Sequence, residues 1–415
     1  MFGTASKIYE SKENTQVLAN QDIDVLIIGG GPVGLWTACQ IKIKRPSTRI
    51  LVIEKHSEYQ RSHIVSLNLQ SLHGSGKHEI LNKLKQDIEK NNNIRTNDLE
   101  NRLVNLCDDL NIEITKNYHV DSVKKITQEF PNVSVIIGAD GSHSIIRKQI
   151  FGNKMKFYEY LQFIVEIKYE VEGSTRLLAF LTEAYPTMKI MGCVATEHIG
   201  KEINGKTPVT LRLFVDEETL ESLKEATFKN PFCLPRDNHK IDQSVSRKIK
   251  VWLSQKTHYC KEKAIENTIK ITTTKLAAYA SRAFVYGDIT NGAHICLVGD
   301  AAFGVPFFRS LNNGLICGTE LAKEVCNHFN AGRNSVRQSR MTDSVIGQVT
   351  EHFTSYARFC KGMAWPEIVL ARTKSAGVSS FEKWTTISAV VPWQINKLSP
   401  IDILRIKDDD NVNNK

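Results

Sequence analysis

No Cys-x-x-Cys pair and no Cys/His cluster at zinc-finger spacing occurs among the nine cysteines, so no metal site is expected. At 415 residues the chain is too large to need disulfides for stability, and free thiols in a reducing compartment are the expectation. No apolar run is long enough to span a bilayer, and residues 1–21 lack the apolar core of a secretory signal. A soluble, cytoplasmic protein without a transmembrane segment is therefore expected. Neither basic–aromatic alternation nor a helix-turn-helix signature is present, which argues against nucleic acid as a partner. Gly74-Ser75-Gly76-Lys77 lacks the first glycine of a P-loop, and His78 stands where Ser or Thr would bind magnesium.

What remains is ordinary globular composition in a chain too long for one compact core, so two or three domains are expected. The net charge of +9 is moderate, but Lys and Arg concentrate in the stretch 240–275, including Arg247, Lys248, Lys250, Lys256, Lys261 and Lys263. Such a stretch is either a solvated helical face or a docking patch for an acidic protein, a phosphate-rich ligand or an anionic membrane.

The run Asp24-Val25-Leu26-Ile27-Ile28 reads as a buried parallel strand, residues 32–44 as a helix, and Arg49 to Glu54 as a second buried strand. This is a βαβ unit of about thirty residues. From Arg95 onward Leu99, Leu103, Leu106 and Leu110 repeat at helical spacing, followed by strand-like pieces at 112–115 and 133–137. Between about residues 156 and 216 long β-rich runs without crossover helices predict antiparallel sheet. The chain from Leu315 onward reads as mostly helical, with breaks around Gly332, Pro366 and Pro392.

Three glycine-bearing segments each follow a strand-like run. In the first, Gly29-x-Gly31-x-x-Gly34 opens a helix, with Glu54 at the end of the next strand. Gly29 permits the tight turn, Gly31 lets backbone approach a pyrophosphate, and Gly34 lets helix and sheet pack closely, while Pro32 and Val33 begin the helix whose N–H groups face phosphate. Glu54 would accept hydrogen bonds from an adenosine ribose. The second is Gly138-Ala139-Asp140-Gly141, with Ser144 and Arg147 behind it, and the third is Gly299-Asp300-Ala301-Ala302.

Gly138-Ala-Asp-Gly-x-x-Ser-x-x-Arg147 and Gly299-Asp300-Ala301-Ala302 resemble the second and third motifs of the FAD-dependent, group A flavoprotein monooxygenases typified by p-hydroxybenzoate hydroxylase. The resemblance spans most of residues 23–329. It implies a Rossmann-like α/β FAD-binding domain (22–155, returning at 290–330), an inserted β-rich substrate domain (156–289), and a C-terminal helical region (331–407). Residues 1–21 and 408–415 are expected to be flexible tails. It further implies that Asp140 and Gly141 lie near flavin and nicotinamide nucleotide and that Asp300, between Gly299 and Ala301, holds the FAD ribitol. Lys55, Arg61, Arg95, Pro306 and Asn313 join the cofactor-binding set, Arg61 and Arg95 as guanidinium partners of pyrophosphate or flavin oxygens. Helix-start amides after Arg309-Ser310-Leu311-Asn312-Asn313-Gly314 would stabilise charge on reduced flavin, although the two asparagines also suit plain N-caps.

The activity implied is that of an NADPH- or NADH-using monooxygenase that inserts one oxygen atom of dioxygen through a flavin hydroperoxide. No side chain is identified as a general acid or base; His63 and His143 read as structural histidines. Trp365-Pro366 and Trp393 do not make the Trp-x-Trp-x-Ile-Pro signature of flavin halogenases. Phe303 replaces the family's usual histidine, and Phe308 and Leu311 stand where glycines are usual beside the flavin ring. The short interval from Arg61 to Arg95, and Arg61-Ser62-His63, are similar to the MICAL flavin domain and admit a protein substrate as well as a small molecule. The alternatives are an FAD oxidase or dehydrogenase, or a protein-interaction factor with a vestigial flavin site.

Overall fold

The computed structural model describes residues 22–58, 64–74, 76, 78–152, 155–287, 292–306, 309–331 and 344–383. The expected tails, and the breaks at Gly332 and Pro392, lie outside these residues. Contacts divide the chain into two compact units, the first running to Tyr158 and from Ala278 to Ile368, the second from Glu159 to Ala277 and from Val369 onward.

The first unit begins with β1 (Val25–Ile28), α1 (Pro32–Lys44), β2 (Ile50–Ile53), β3 (Ile64–Ser66), α2 (Glu79–Lys90), β4 (Asn93–Arg95), α3 (Thr96–Asp109), β5 (Glu113–Thr115), α4 (Val123–Glu129) and β6 (Val135–Gly138). Strand β1 is buried along its whole length between β2 and β6, parallel to both, with Val25 opposite Ile50 and Val135 and Ile28 opposite Ile53 and Gly138. An unbroken apolar, β-branched strand is what burial on both faces selects. Helix α1 is apolar nearly all round rather than on one face, and Gly34 to Ile41 are all buried. A helix enclosed by neighbours has no polar face to display.

The chain then runs through β7 (Phe157–Glu172) into the second unit, with α5 (Tyr185–Met191), β8 (Ala195–Ile199), β9 (Lys206–Val215), α6 (Glu217–Ser222), β10 (Phe232–Cys233), α7 (Gln243–Cys260) and β11 (Lys270–Ala280). These strands make a sheet of order β10-β11-β7-β9-β8, with β9 antiparallel to both neighbours. The expected absence of helices from 156–216 is not observed, because α5 and the helical turn before it separate β7 from β8. Pro186 near the start of α5 and left-handed Gly192 at its end delimit this insertion. Val245, Ile249 and Trp252 place one face of α7 in the core of this unit, together with Val165, Ile167, Leu211 and Leu213 of the sheet.

Lys256 continues the buried face of α7 and is wholly inaccessible, so it leaves the basic docking stretch to which the sequence assigns it. Its ammonium lies 3.0 Å from carboxylate oxygens of both Glu197 and Glu262 and donates to the Arg176 carbonyl at 2.5 Å. Tyr169 Oη donates to Glu262 at 2.9 Å, and burial holds the Glu197 carboxyl above its ordinary range. The rest of the stretch is partly neutralised: Lys263 pairs with Glu172, and Lys275 with Glu221.

The chain returns as β12 (Val285–Gly287), β13 (His294–Leu297), β14 (Phe303–Gly304), α8 (Arg309–Ala331), β15 (Val345–Gly347) and α9 (Glu351–Lys383). Strand β13 joins the first sheet parallel to β6, giving the order β15-β12-β13-β6-β1-β2-β5. Helix α8 starts at Arg309, so Asn312 and Asn313 lie inside it rather than capping it. Helix α9 continues through Pro366, where the sequence predicts a break. The residue whose carbonyl loses its partner is Gly362, exposed and with open space where a side chain would be, so that carbonyl is not forced to go unsatisfied in the core.

Replacing Lys256 by Met should leave two buried carboxylates without their cation and lower stability by about 3–5 kcal/mol in urea unfolding. Lys250→Ala, on the exposed face of the same helix, should change it by no more than about 0.5 kcal/mol.

Candidate functional site

The three glycine-bearing segments end neighbouring parallel strands, β1, β6 and β13, at the same edge of the first sheet. Gly29 has φ +111°, and a Cβ there would overlap the carbonyl of Ala139. A Cβ on Gly34 would overlap the Gly29 carbonyl and press on Ala139 as well. The first and second segments thus meet backbone to backbone. Gly31 is the N-cap of α1, in extended conformation, followed by Pro32; the cap contributes no side-chain hydrogen bond and the first turn holds no acidic residue. Its leading N–H groups and positive dipole end are left for an anion.

A cavity of about 420 Å³ begins at this turn, bounded by Gly29, Gly31, Pro32 and Val33, and continues past Glu54 and Lys55 to Lys116 and Tyr118 beyond β5. Its other wall carries Asp140, Gly141 and Asp300. Glu54 accepts from the Gly30 N–H at 2.7 Å and the His56 N–H at 3.0 Å, one bond to each carboxylate oxygen, which fixes the carboxylate at the end of β2 with lone pairs still available. Asp140 Oδ2 accepts from the Ile145 N–H at 2.6 Å, while its Oδ1 is buried without a partner. Asp300 accepts the hydroxyl of Ser310 from the first turn of α8.

Arg147 connects the second segment to the third. Its guanidinium is buried, donates to the carbonyls of Ala301 at 2.9 Å and Asp300 at 3.1 Å, and also reaches the Ser142 carbonyl. Burial lowers its pKa from the ordinary value, opposed by Tyr279, Asp140 and Asp300. Tyr279 donates to the same Asp300 carbonyl at 3.0 Å. The sequence displays Arg147 within the second motif but does not reveal that two of its partners are backbone carbonyls about 150 residues away.

Other predicted residues are placed as follows. Gly299, with φ +61°, packs on Val33, and Ala301 is fully buried behind Asp300. Pro306 is buried, and Asn313 is buried with its Nδ2 unpartnered. Arg95 ends β4, half-buried opposite residue 64, and is not on the cavity wall, where α3 instead presents Thr96, Glu100 and Val104. Arg61, His63 and Phe308 lie outside the described residues. His143 is exposed at the cavity wall, and Phe303 is buried in β14 against the end of β11. Among the described residues no group of His, Cys, Asp or Glu is arranged to hold a metal ion, and no helix is long and apolar enough to cross a membrane.

The start of α8 is braced from three directions. Ser310 bonds Asp300, Asn312 Nδ2 donates to the Ser66 carbonyl at 2.8 Å while its Oδ1 accepts from the Asn68 N–H at 2.8 Å, and Arg309 pairs with the nearly buried Glu367. Leu311 reaches the cavity wall. Gly314 and Gly318 let α8 approach α1 closely, against Val33 and Thr37. A Gly-x-x-x-Gly spacing inside a helix is the signal that marks this approach in the sequence.

Substituting Arg147 by Met should leave the Ser142 and Ala301 carbonyls unpaired, and the Asp300 carbonyl with Tyr279 alone, and cost roughly 2–4 kcal/mol of stability, measured by chemical denaturation.

No family model and no curated protein sequence matches the chain. Its structure is similar to that of PqsL, a probable FAD-dependent monooxygenase from Pseudomonas aeruginosa, with TM-score 0.53 and 11% identity over 87% of this chain and 98% of that one. It is similar to the flavin-dependent halogenase CmlS, with TM-score 0.56 and 12% identity over 94% of this chain and 70% of that one. The Diels-Alderase PyrE3 of pyrroindomycin biosynthesis matches with TM-score 0.52 and 14% identity over 93% of this chain and 80% of that one. None of the three supports the narrower similarity to the MICAL flavin domain. At these identities the likeness establishes the fold: this chain has the mixed α/β fold, built on a largely parallel sheet, that these flavin-dependent enzymes share.

Proposed function

We propose that the protein is an FAD-dependent monooxygenase, reduced by NADPH or NADH, that acts on a small organic molecule. The observation that carries this reading is the cavity itself. It runs from an uncapped helix N-terminus past the Glu54 carboxylate at the end of β2, and two further carboxylates, Asp140 and Asp300, line it beyond β6 and β13. The Gly29 and Gly34 cradle, which a side chain would fill, and the unpartnered Asp140 Oδ1 fit a dinucleotide.

In this reading the amides opening α1, with Gly31, Pro32 and Val33, hold the pyrophosphate, assisted by Lys55 and Arg61. Glu54 orients the adenosine ribose. Asp300, flanked by Gly299 and Ala301, holds the ribitol; Asp140 and Gly141 border the flavin half; Pro306 and Asn313 support the start of α8 beside the ring, and Arg95 supports α3. Bound FAD would supply hydride acceptance and activation of dioxygen. The chain's own part is to bind, orient and exclude water. The N–H groups opening α8 favour negative charge nearby, and Ser310 holds Asp300 in one orientation through the hydroxyl it donates. The division proposed is an FAD domain of residues 22–155 with 290–330, a substrate domain of 156–289 and a helical region of 331–407.

A second reading, an FAD oxidase or dehydrogenase, is favoured by Leu311 on the cavity wall, because a bulky residue beside the flavin ring would narrow the space in which an oxygen adduct and a substrate must fit together.

Purified protein should be yellow or take up FAD, and NADPH or NADH should bleach its flavin absorbance, with peroxide release in air when substrate is absent. Flavin that neither nucleotide reduces would reject the monooxygenase in favour of the second reading. A colourless protein that takes up no FAD would remove both. Asp300→Ala should weaken FAD binding by about tenfold to a hundredfold, as expected for losing a hydrogen bond to a charged acceptor. Unchanged affinity would show that Asp300 does not hold the ribitol.

A further inference from the structure

We infer that Glu100 carries a proton with which the cavity receives the adenosine and pyrophosphate half of the dinucleotide, so that FAD binds to the form in which Glu100 is neutral. This rests on the reading of the cavity as an FAD site and adds to it one residue and one linked proton.

Glu100 lies on α3 in the stripe Thr96, Glu100, Val104, spaced one turn apart along the cavity, while Leu99, Leu103 and Leu106 fill the core on the adjoining face. It is 7% exposed, and its Oε2 is buried without a hydrogen-bond partner. A glutamate on a helix belongs in solvent or against a cation. Here the orphaned carboxyl oxygen is held at the wall of an anion-binding cavity.

Burial pushes the Glu100 carboxyl up to about 7, the charge of Glu54 acts in the same direction, and Lys116 opposes them. A bound dinucleotide would add the two negative charges of its pyrophosphate at the opening of α1, in the same cavity, and disfavour ionised Glu100 further. The chemistry of the partner agrees. Glu54 supplies an acceptor for ribose hydroxyls, whereas the ring nitrogens and ribose oxygens of adenosine are acceptors that need a donor. A neutral carboxyl has an O–H to give and a carboxylate has none.

Other titratable groups face the same space. Glu54, Lys55 and His56 come from the end of β2, Lys116, Tyr118 and His119 from beyond β5, and Asp140 and His143 from the turn after β6. These groups are common to wild type and Glu100→Gln, so the difference between the two isolates the Glu100 proton.

The sign follows from linkage. Below about pH 7 Glu100 is neutral with or without ligand and contributes no pH dependence. Above it the free protein gives up the proton and must recover it to bind, so affinity falls by up to tenfold per pH unit.

The test is titration of the flavin-stripped full chain with FAD, read by flavin fluorescence, between about pH 6 and pH 8. Wild type should weaken by about tenfold more than Glu100→Gln across this interval, and the variant should bind more tightly than wild type at the alkaline end. Parallel profiles, or an equal loss at every pH in the variant, overturn the inference. A second measurement needs no variant. Calorimetric titration of wild type in two buffers of different ionisation enthalpy should show close to one proton taken up at about pH 8 and much less at about pH 6. FAD binding at about pH 8 with no proton uptake overturns the inference and leaves the FAD reading standing. Failure of wild type to bind FAD at any pH overturns both.

Discussion

The backbone of Ala139 occupies the space that any side chain on Gly29 would need, and Gly34 closes on the Gly29 carbonyl from the other side. This contact depends on the parallel register that puts Ile28 beside Gly138, and it fixes where the strands β1 and β6 deliver their loops. Once the two turns are pressed together, the opening of α1 can point in only one direction, toward the trough outside the strand ends. Everything in the cavity is placed relative to that opening: Glu54 by its bond from the Gly30 N–H, Asp140 by the turn it caps, and Asp300 by Arg147. The buried guanidinium is the counterpart of the glycine contact. It ties the second segment to the third through main-chain carbonyls, so side-chain identity at Ala301 matters little and the path of the backbone matters a great deal.

Much of the first sheet is legible in the sequence because its strands are buried on both faces and its loops need glycine. Continuous β-branched runs and glycines at fixed spacing are local properties, and β1, β2, β6 and β13 can be read from them. Features fixed by distant contacts are not legible in this way. Lys256 looks like one more surface cation in a basic stretch, and only the fold brings Glu197 and Glu262 to it. Pro366 looks like a helix stop, yet the residue one turn before it is an exposed glycine and the helix continues. Asn312 looks like a cap, but its amide bonds the backbone of Ser66 and Asn68, from a part of the chain more than 240 residues earlier.

The candidate site divides along the same line. The glycine turn, Glu54, Asp140 and Asp300 are read from short motifs, and the structure gathers them around one cavity. Arg95 is read from its position before a helix, and it lies off the cavity wall, because the short β3–β4 pairing directs the chain so that Thr96 and Glu100 face inward instead. Glu100 was hidden by its own spacing. Within the Leu99, Leu103, Leu106 repeat it reads as the polar edge of an amphipathic helix, and nothing local tells that this edge meets an enclosed trough rather than water.

The fold by itself does not choose a reaction. A monooxygenase, a halogenase and a Diels-Alderase all have structures similar to this one, so what happens at the reacting end is decided by residues that the shared architecture does not specify. In this chain those residues cluster at the start of α8. Where small residues would let a ring lie directly on the helix amides, Leu311 lines the cavity and Arg309 is held by Glu367. Yet the same turn is unusually well braced, with Ser310 on Asp300 and Asn312 on the β3 segment. A carboxylate has about four lone-pair sites, so the Ser310 bond orients Asp300 without consuming its capacity to accept further hydrogen bonds. Under the proposed FAD reading, Leu311 would change the shape of the space beside the ring, while the Ser310 bond keeps Asp300 oriented.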